Sequence, residues 1–317
     1  MEGLKINFVD FWPGFDKTDN YFYKLLRAKY DIEIHDEPEV LFFSCYGNEY
    51  LKYKCLRIFY SAENLRPDFT GCDFAITFDF LADPRHYRLP LYAVYIDQSG
   101  SLDQLLKVKT KEEALAIWQR KTKFCCIVIS NGLAKERVDF FNLLSLSRQV
   151  DSGGKWMNNV GGPVKDKITF IKEYKYVIAF ENSSFAGYTT EKILDPLLAD
   201  SIPVYWGNKL VGIDFNSGAF LNFDNYSSAQ ELIDEMVAIE SDPERAVQML
   251  MEPKFPNNEI PQAIDQKNVS AFLYSIIDGR KSVVPVAITW KKALHFYRRK
   301  CRSLSFWINK LMHRNFR

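Results

Sequence analysis

Between Lys175 and Gly207 the chain reads KYVIAFENSSFAGYTTEKILDPLLADSIPVYWG, and five groups able to hold a polar ligand fall close together in it: Glu181, Asn182, Tyr188, Glu191 and Lys192. Thr189 or Thr190 is a suitable helix cap, and Glu191 adds negative charge to the first turn. Lys192 follows the cap closely enough to reach a phosphate held over free backbone N–H groups. Glu191 could accept two sugar or ribose hydroxyls. The plainer alternative is a capped helix with a solvated Glu-Lys pair. Tyr176 to Phe180 is a short apolar run suited to a buried parallel strand, and Ile202 to Trp206 reads as another. Strand, polar loop, helix and strand place these groups at a strand's carboxyl end facing a helix N-terminus, where open α/β sheets take anionic ligands.

The rest of the chain repeats that alternation. Strands are expected at Lys5 to Trp12, Val40 to Cys45, Leu56 to Tyr60, Phe74 to Phe80, Leu89 to Tyr95 and Lys123 to Ile129. Helices are expected at Asp19 to Tyr30 (with Tyr23, Leu26 and Tyr30 on one face), Asn48 to Cys55 and Ala134 to Leu146, and again at Ser227 to Ile239, Pro243 to Met251 and Ala271 to Ile277. Ser101 to Lys121 is charged and reads as helix or linker, which puts a domain boundary near 118. Alternating strands and helices imply parallel sheets covered on both faces. Glu63 follows the apolar strand Leu56 to Tyr60, so it sits at that sheet's carboxyl edge; with Asn64 it could equally cap the next turn. Ser130 and Asn131 form a turn beyond the strand that begins at Lys123. Arg137 lies in the first turns of the next helix, where a surface pairing with Glu136 or Asp139 would contribute little.

Composition sets limits. An apolar fraction of 47% with 26% charged residues describes an ordinary globular protein, and 317 residues suffice for two domains. Nine Lys or Arg and no acidic residue lie from Pro285 to the end, so the overall charge of +1 less nine leaves −8 on the remainder. An acidic body does not suggest nucleic-acid binding. The six cysteines fit neither a zinc pattern nor a dense disulfide framework, and reduced buried thiols are expected. No G-x4-G-K-[ST] loop and no Asp-x-Asp pair occurs. The opening MEGLKINFVDFWPG lacks the layout of a signal peptide, and no stretch reaches the ~20 apolar residues of a membrane span. In the tail, Trp290, Leu294, Tyr297, Cys301, Leu304, Ile308 and Leu311 recur at steps of four and three, giving an apolar seam on a basic helix. Such a helix could lie on anionic lipid, pack on its own domain, or form a coiled coil that makes a homodimer.

AFENS, GYTTEK and SIPVYWG, in that order, resemble the donor-binding signature of the α1,3/4-fucosyltransferases, glycosyltransferase family ten. FYSAENLRPDF followed by DFAITFD and YRLPLY resembles the bacterial members, as do SNGLAKER, the Gly-rich DSGGKWMNNVGGP and the DFN segment from Asp214. The resemblance covers most of residues 56 to 225. Pro196 departs from it; lacking an N–H, it should kink the helix and tilt Lys192.

The resemblance implies a GT-B fold, two Rossmann-like domains facing across a cleft. Residues 1–118 would bind the acceptor and 119–284 GDP-fucose, with 285–317 a basic amphipathic tail. It implies inverting transfer of L-fucose from GDP-β-L-fucose to C3 or C4 of N-acetylglucosamine in a lactosamine-type surface oligosaccharide. Glu63 would be the general base. Arg137 and Lys192 would meet the diphosphate, and Ser130, Asn131, Asn182, Tyr188 and Glu191 would complete the donor site. Two cations and a helix terminus could replace a metal, so no obligatory metal or other cofactor is expected. A bacterial cytoplasmic enzyme on the inner face of the membrane, held there through 286–317, is the expected setting. The alternatives are another nucleotide-sugar transferase of the same fold and a non-catalytic glycan-binding, membrane-associated protein.

Overall fold

The computed structural model describes residues 3–130 and 132–301 and divides them into two units, one of residues 3–77, 81–89 and 266–301, the other of 78–80, 90–130 and 132–265. Unit 1 is built on six parallel strands: β1 (Leu4–Val9), β2 (Ile32–Ile34), β3 (Val40–Phe43), β4 (Leu56–Tyr60), β5 (Phe74–Thr77) and β6 (His86–Arg88), in the order β2-β1-β3-β4-β5-β6. Every residue of β3 and of β4 is buried, as central strands covered on both faces require. Unit 2 has five parallel strands: β7 (Lys123–Ile127), β8 (Val150–Ser152), β9 (Tyr174–Phe180), β10 (Ile202–Trp206) and β11 (Leu221–Asn222), in the order β11-β10-β9-β7-β8.

Strand β9 is central in unit 2 because its two faces are both apolar. Tyr176, Ile178 and Phe180 join Phe140, Val204, Leu232 and Met236 in one core. Val177 packs on the other side with Cys126, Ile171, Tyr174 and Ala199. Helix Lys135–Ser145 covers the first face, and helix Glu191–Leu198 covers β9 and β10. Phe140 and Phe180 lie 5.0 Å apart between ring centres, a contact whose loss to alanine typically costs about 3–5 kcal/mol.

The structure corrects several expectations. Leu89 to Tyr95 is not a strand: Leu91–Ser99 is a helix, started after Pro90 and ended by Gly100 in the left-handed region at φ 61°. Its residues Tyr92, Ala93, Val94 and Ile96 are buried, so the apolar run serves a helix face. Strand β5 stops at Thr77 instead of running to Phe80, and Asn48 to Cys55 holds only a 3₁₀ turn at Glu49–Lys52. Of the two readings of Ser101 to Lys121, helix holds: it contains Leu102–Leu106 and Lys111–Arg120, the second packing on Pro243–Met251 within unit 2. In helix Tyr21–Arg27 the buried residues are Tyr21, Phe22 and Leu26; of the expected face Leu26 is buried, while Tyr23 and Tyr30 are half-buried and Tyr30 lies beyond the helix.

The boundaries 1–118, 119–284 and 285–317 differ from the observed division. The second unit takes in 78–80 and then runs from Pro90, and the chain returns to unit 1 at Gln266. Helix Gln266–Gly279 packs on Tyr21–Arg27, with the Tyr274 hydroxyl donating to the Leu25 carbonyl at 2.9 Å. The Val286 N–H then donates to buried Asp73 at 2.8 Å, and 291–301 is helical. That segment buries His295 and leaves Trp290 and Tyr297 of the expected seam exposed. The seam residues Leu304, Ile308 and Leu311 lie outside the described residues. No described helix is long and apolar enough to cross a membrane.

Candidate active site

Strand β9 ends at Phe180, and the next residue sets the site. The Glu181 N–H donates to the Trp206 carbonyl at 2.8 Å, which carries the β9–β10 ladder one step further. Its side chain turns inward and is wholly buried. One carboxylate oxygen accepts the Thr190 N–H at 2.8 Å; the other accepts the Thr190 hydroxyl at 2.7 Å and lies 3.4 Å from the Lys192 ammonium. Glu181 thus grips the helix cap from behind. Thr190 in turn accepts from the Lys192 N–H at 3.4 Å. Burial pushes the Glu181 carboxyl above its ordinary value, against the pull of Lys192 and the Thr190 donors.

Gly207 makes this possible. At φ 151°, a Cβ built there would stand 2.5 Å from the Glu181 Cγ, so only glycine leaves room for the carboxylate. The loop between is tied down by Asn208, whose amide oxygen accepts from the Gly187 and Leu210 N–H groups and whose amide N–H donates to Thr189. The Ser184 hydroxyl donates to the Gly207 carbonyl at 2.7 Å.

Lys192 is the cation of the first turn. Its ammonium donates to Thr190 Oγ1 at 3.1 Å and Glu191 Oε1 at 3.2 Å, and 16% of the side chain remains accessible. Burial works against the charge, but Glu181 and Glu191 outweigh it and raise the ammonium above its usual pKa. Burial likewise opposes the Glu191 carboxylate, yet Lys192 and Lys167 hold it below the usual value. Pro196 falls late in this helix. It sits two residues before the end of Glu191–Leu198, and Asp200 at φ 55° closes the chain soon after, so the lost N–H falls where the helix is already stopping.

Arg137 is not a surface residue paired with Glu136 or Asp139; Asp139 pairs with Lys135 instead. Arg137 is 1% exposed and crosses from its helix to the end of β9. Its Nε and Nη2 donate to the Phe180 carbonyl at 3.1 and 2.7 Å, and Nη2 also donates to Asn182 Oδ1 at 2.8 Å. Burial pulls its pKa down, only partly countered by Glu181, Tyr188 and Glu191. The Tyr188 ring is buried edge-on to Phe78 at 5.1 Å.

One strand end of unit 2 therefore gathers Arg137, Asn182, Tyr188, Glu191 and Lys192. Ser130 is exposed just past β7, and Asn131 lies outside the described residues. The Gly-rich stretch that follows is no free loop: Gly153 and Trp156 donate to the carbonyls of Ile127 and Ile129, extending the β7–β8 edge. Glu63 belongs to unit 1, where it is exposed past β4 and accepts from the Tyr46 hydroxyl at 2.7 Å. Glu181 was legible only as part of a polar loop; its burial was the missing signal. Among the described residues no group of three or more His, Cys, Asp or Glu could hold a metal ion.

The two parallel-sheet α/β units are those of the GT-B glycosyltransferase fold. Comparisons with known proteins place the chain more finely. The model described as "Alpha-(1,3)-fucosyltransferase FucT N-terminal domain" matches residues 6–95, and "Glycosyltransferase family 10 (fucosyltransferase) C-term" matches residues 118–250. The chain belongs to glycosyltransferase family 10. It is 29% identical to the Helicobacter pylori alpha-(1,3)-fucosyltransferase FucT over 87% of this chain and 66% of that one. It is 33% identical to the human 4-galactosyl-N-acetylglucosaminide 3-alpha-L-fucosyltransferase 9 over 35% of this chain and 32% of that one. A crystal structure of an alpha1,3-fucosyltransferase with GDP-fucose superposes with a TM-score of 0.75 at 27% identity, covering 87% of this chain and 90% of that one. The chain thus spans just under two thirds of the Helicobacter pylori relative's length and about a third of the human one's.

Proposed function

We propose that the chain is an inverting fucosyltransferase, moving L-fucose from GDP-β-L-fucose to the C3 or C4 hydroxyl of N-acetylglucosamine in a lactosamine-type oligosaccharide. The observation that carries this reading is the joined set of Arg137, Asn182, Tyr188, Glu191 and Lys192 at the end of β9, in a chain of family 10. Lys192 and the N–H groups of the capped turn offset the charge of the departing diphosphate. Arg137 acts by holding Asn182 and the end of β9 in place, with its guanidinium charge close behind. Glu191 and Asn182 orient the sugar and nucleotide, and Tyr188 packs against them. Unit 2 is the donor unit and unit 1 the acceptor unit. Glu63, exposed at the carboxyl end of β4, takes the proton from the attacking hydroxyl as the fucosyl–phosphate bond breaks; a positioned base gives about 10² to 10⁴ in rate. The diphosphate is neutralised by side chains and backbone, so turnover needs no obligatory metal.

The basic tail carries the setting: Trp290, Phe296 and Tyr297 are exposed beside Lys292, Arg298 and Lys300, as expected of a helix lying on the anionic inner face of a bacterial cytoplasmic membrane or pairing with a second copy. The test of function is incubation with GDP-fucose and N-acetyllactosamine, followed by linkage analysis by NMR. An α-fucoside on C3 or C4 of N-acetylglucosamine is the expected product. Transfer from UDP- or GDP-linked sugars other than fucose, with none from GDP-fucose, would overturn the reading.

A further inference from the structure

Unit 1 holds an open hollow of about 310 Å³ at the carboxyl ends of β3 and β4, at the lower end of the ~300–1,000 Å³ typical of small-ligand sites. Cys45, Asn48, Tyr50 and Arg66 line one side; His295 and Arg299 of the helix at 291–301 line the other. Tyr46, between the lining residues Cys45 and Gly47, donates to Glu63 at 2.7 Å.

The helix is seated there by polar contacts, not by its apolar seam. His295 Nε2 lies 2.7 Å from the Tyr50 hydroxyl, and Nδ1 lies 3.3 Å from Thr70 Oγ1 and 3.5 Å from Asp68 Oδ2. A Cβ on Gly71 would land on the His295 ring, so glycine opens the notch. Arg298 pairs with the same Asp68 at 3.3 Å. Arg299, one turn beyond His295, donates to the Tyr50 hydroxyl and Asn48 Oδ1, with its guanidinium 5.4 Å from the Tyr50 ring centre. Those partners are neutral, and among the described residues Arg299 meets no carboxylate. Its five donors exceed what two neutral oxygens use. A hollow lined by an arginine fork with donors to spare and by the side-chain amide of Asn48 suits the hydroxyls of a sugar.

We propose that this hollow seats the acceptor sugar linked to the one whose hydroxyl Glu63 deprotonates, and that Arg299 on the helix at 291–301 is a specificity-determining contact. The inference rests on the fucosyl-transfer reading but is tested by binding. N-acetyllactosamine and N-acetylglucosamine are titrated calorimetrically into the full chain, wild type and Arg299→Ala, with GDP titrated into both as the measure of an intact fold. Tyr297→Ala, on the exposed side of the same helix, is the control. The expected result is affinity for the disaccharide lowered about ten-fold or more by Arg299→Ala, as loss of a charge-assisted hydrogen bond gives. Binding of the monosaccharide and of GDP stays as in wild type, and Tyr297→Ala changes neither. A wild-type chain that does not bind the disaccharide, or an Arg299→Ala chain that binds it as well as wild type, overturns the proposal. Disaccharide binding that needs Arg299 in a chain that transfers no fucose would instead leave the hollow standing and remove the transfer reading.

Discussion

Glu63 and Glu181 are both glutamates one or three residues past a parallel strand, yet they have opposite surroundings. Glu181 is sealed under Thr190 and Lys192, so its carboxylate is spent on holding the turn. Glu63 is exposed and accepts from the Tyr46 hydroxyl, the placement the proposed base requires. Glu63→Gln keeps the size and the Tyr46 contact while removing the base. Turnover is expected to fall about 10²- to 10⁴-fold with GDP affinity unchanged; steady-state kinetics beside GDP titration checks this, and near-native turnover would remove Glu63 from the role. At this scale the sequence was informative about identity and weak about burial. Asn182, Glu191 and Lys192 were legible from their spacing after an apolar strand. The depth of Arg137 was not, because a helix-borne arginine with acidic neighbours in sequence reads as a surface group until the strand that receives it is in place.

The corner between β9, the helix Glu191–Leu198 and β10 works because three short segments constrain one another. Glu181 needs Trp206 for its N–H, Gly207 for its space and Thr190 for its oxygens. Gly207→Ala puts a methyl against Glu181 Cγ at a φ that side chains rarely adopt, with a cost of about 1–3 kcal/mol. Stability and GDP affinity should fall together, since the displaced carboxylate releases Thr190 and Lys192. Thermal unfolding alongside GDP titration separates the outcomes: a stable variant with normal affinity would show that Glu181 does not hold the turn. Leu56–Tyr60, Ile202–Trp206 and Pro243–Met251 were read to the residue, because apolar runs or a proline start mark them. Leu91–Ser99 was misread because its buried aromatic and branched residues imitate a strand; the Pro90 and Gly100 that bound it were the better signal. The two- and three-residue strands β2, β6, β8 and β11 escaped notice because so few residues carry no period.

Over the whole molecule, the division into units was legible in kind but not in place. A return of the chain from one sheet to another at Gln266 leaves no mark in composition; it shows only in the packing of Gln266–Gly279 on Tyr21–Arg27. Global stability carries a further signature. Burial pulls the Lys254 ammonium of unit 2 down to about 7, and it donates to the Leu250 and Glu252 carbonyls at 3.1 and 2.9 Å. The unfolded chain keeps that lysine near 10.4, so between pH 7 and 10 it binds more protons than the folded one. The cost of burying the charge is therefore fully present below pH 7 and is relieved as pH rises. Lys254→Met should raise the unfolding temperature at pH 6 more than at pH 9; an equal change at both would mean the lysine titrates normally.

The account turns on the claim that the first turn after Thr190 holds the nucleotide diphosphate through Lys192. Calorimetric titration of GDP into the wild-type chain and Lys192→Ala, at matched ionic strength, tests it most directly. Loss of one charge-assisted contact of about 1.5–3 kcal/mol predicts a Kd raised roughly 10- to 150-fold, with unfolding still cooperative. An unchanged Kd in a folded variant would contradict the account.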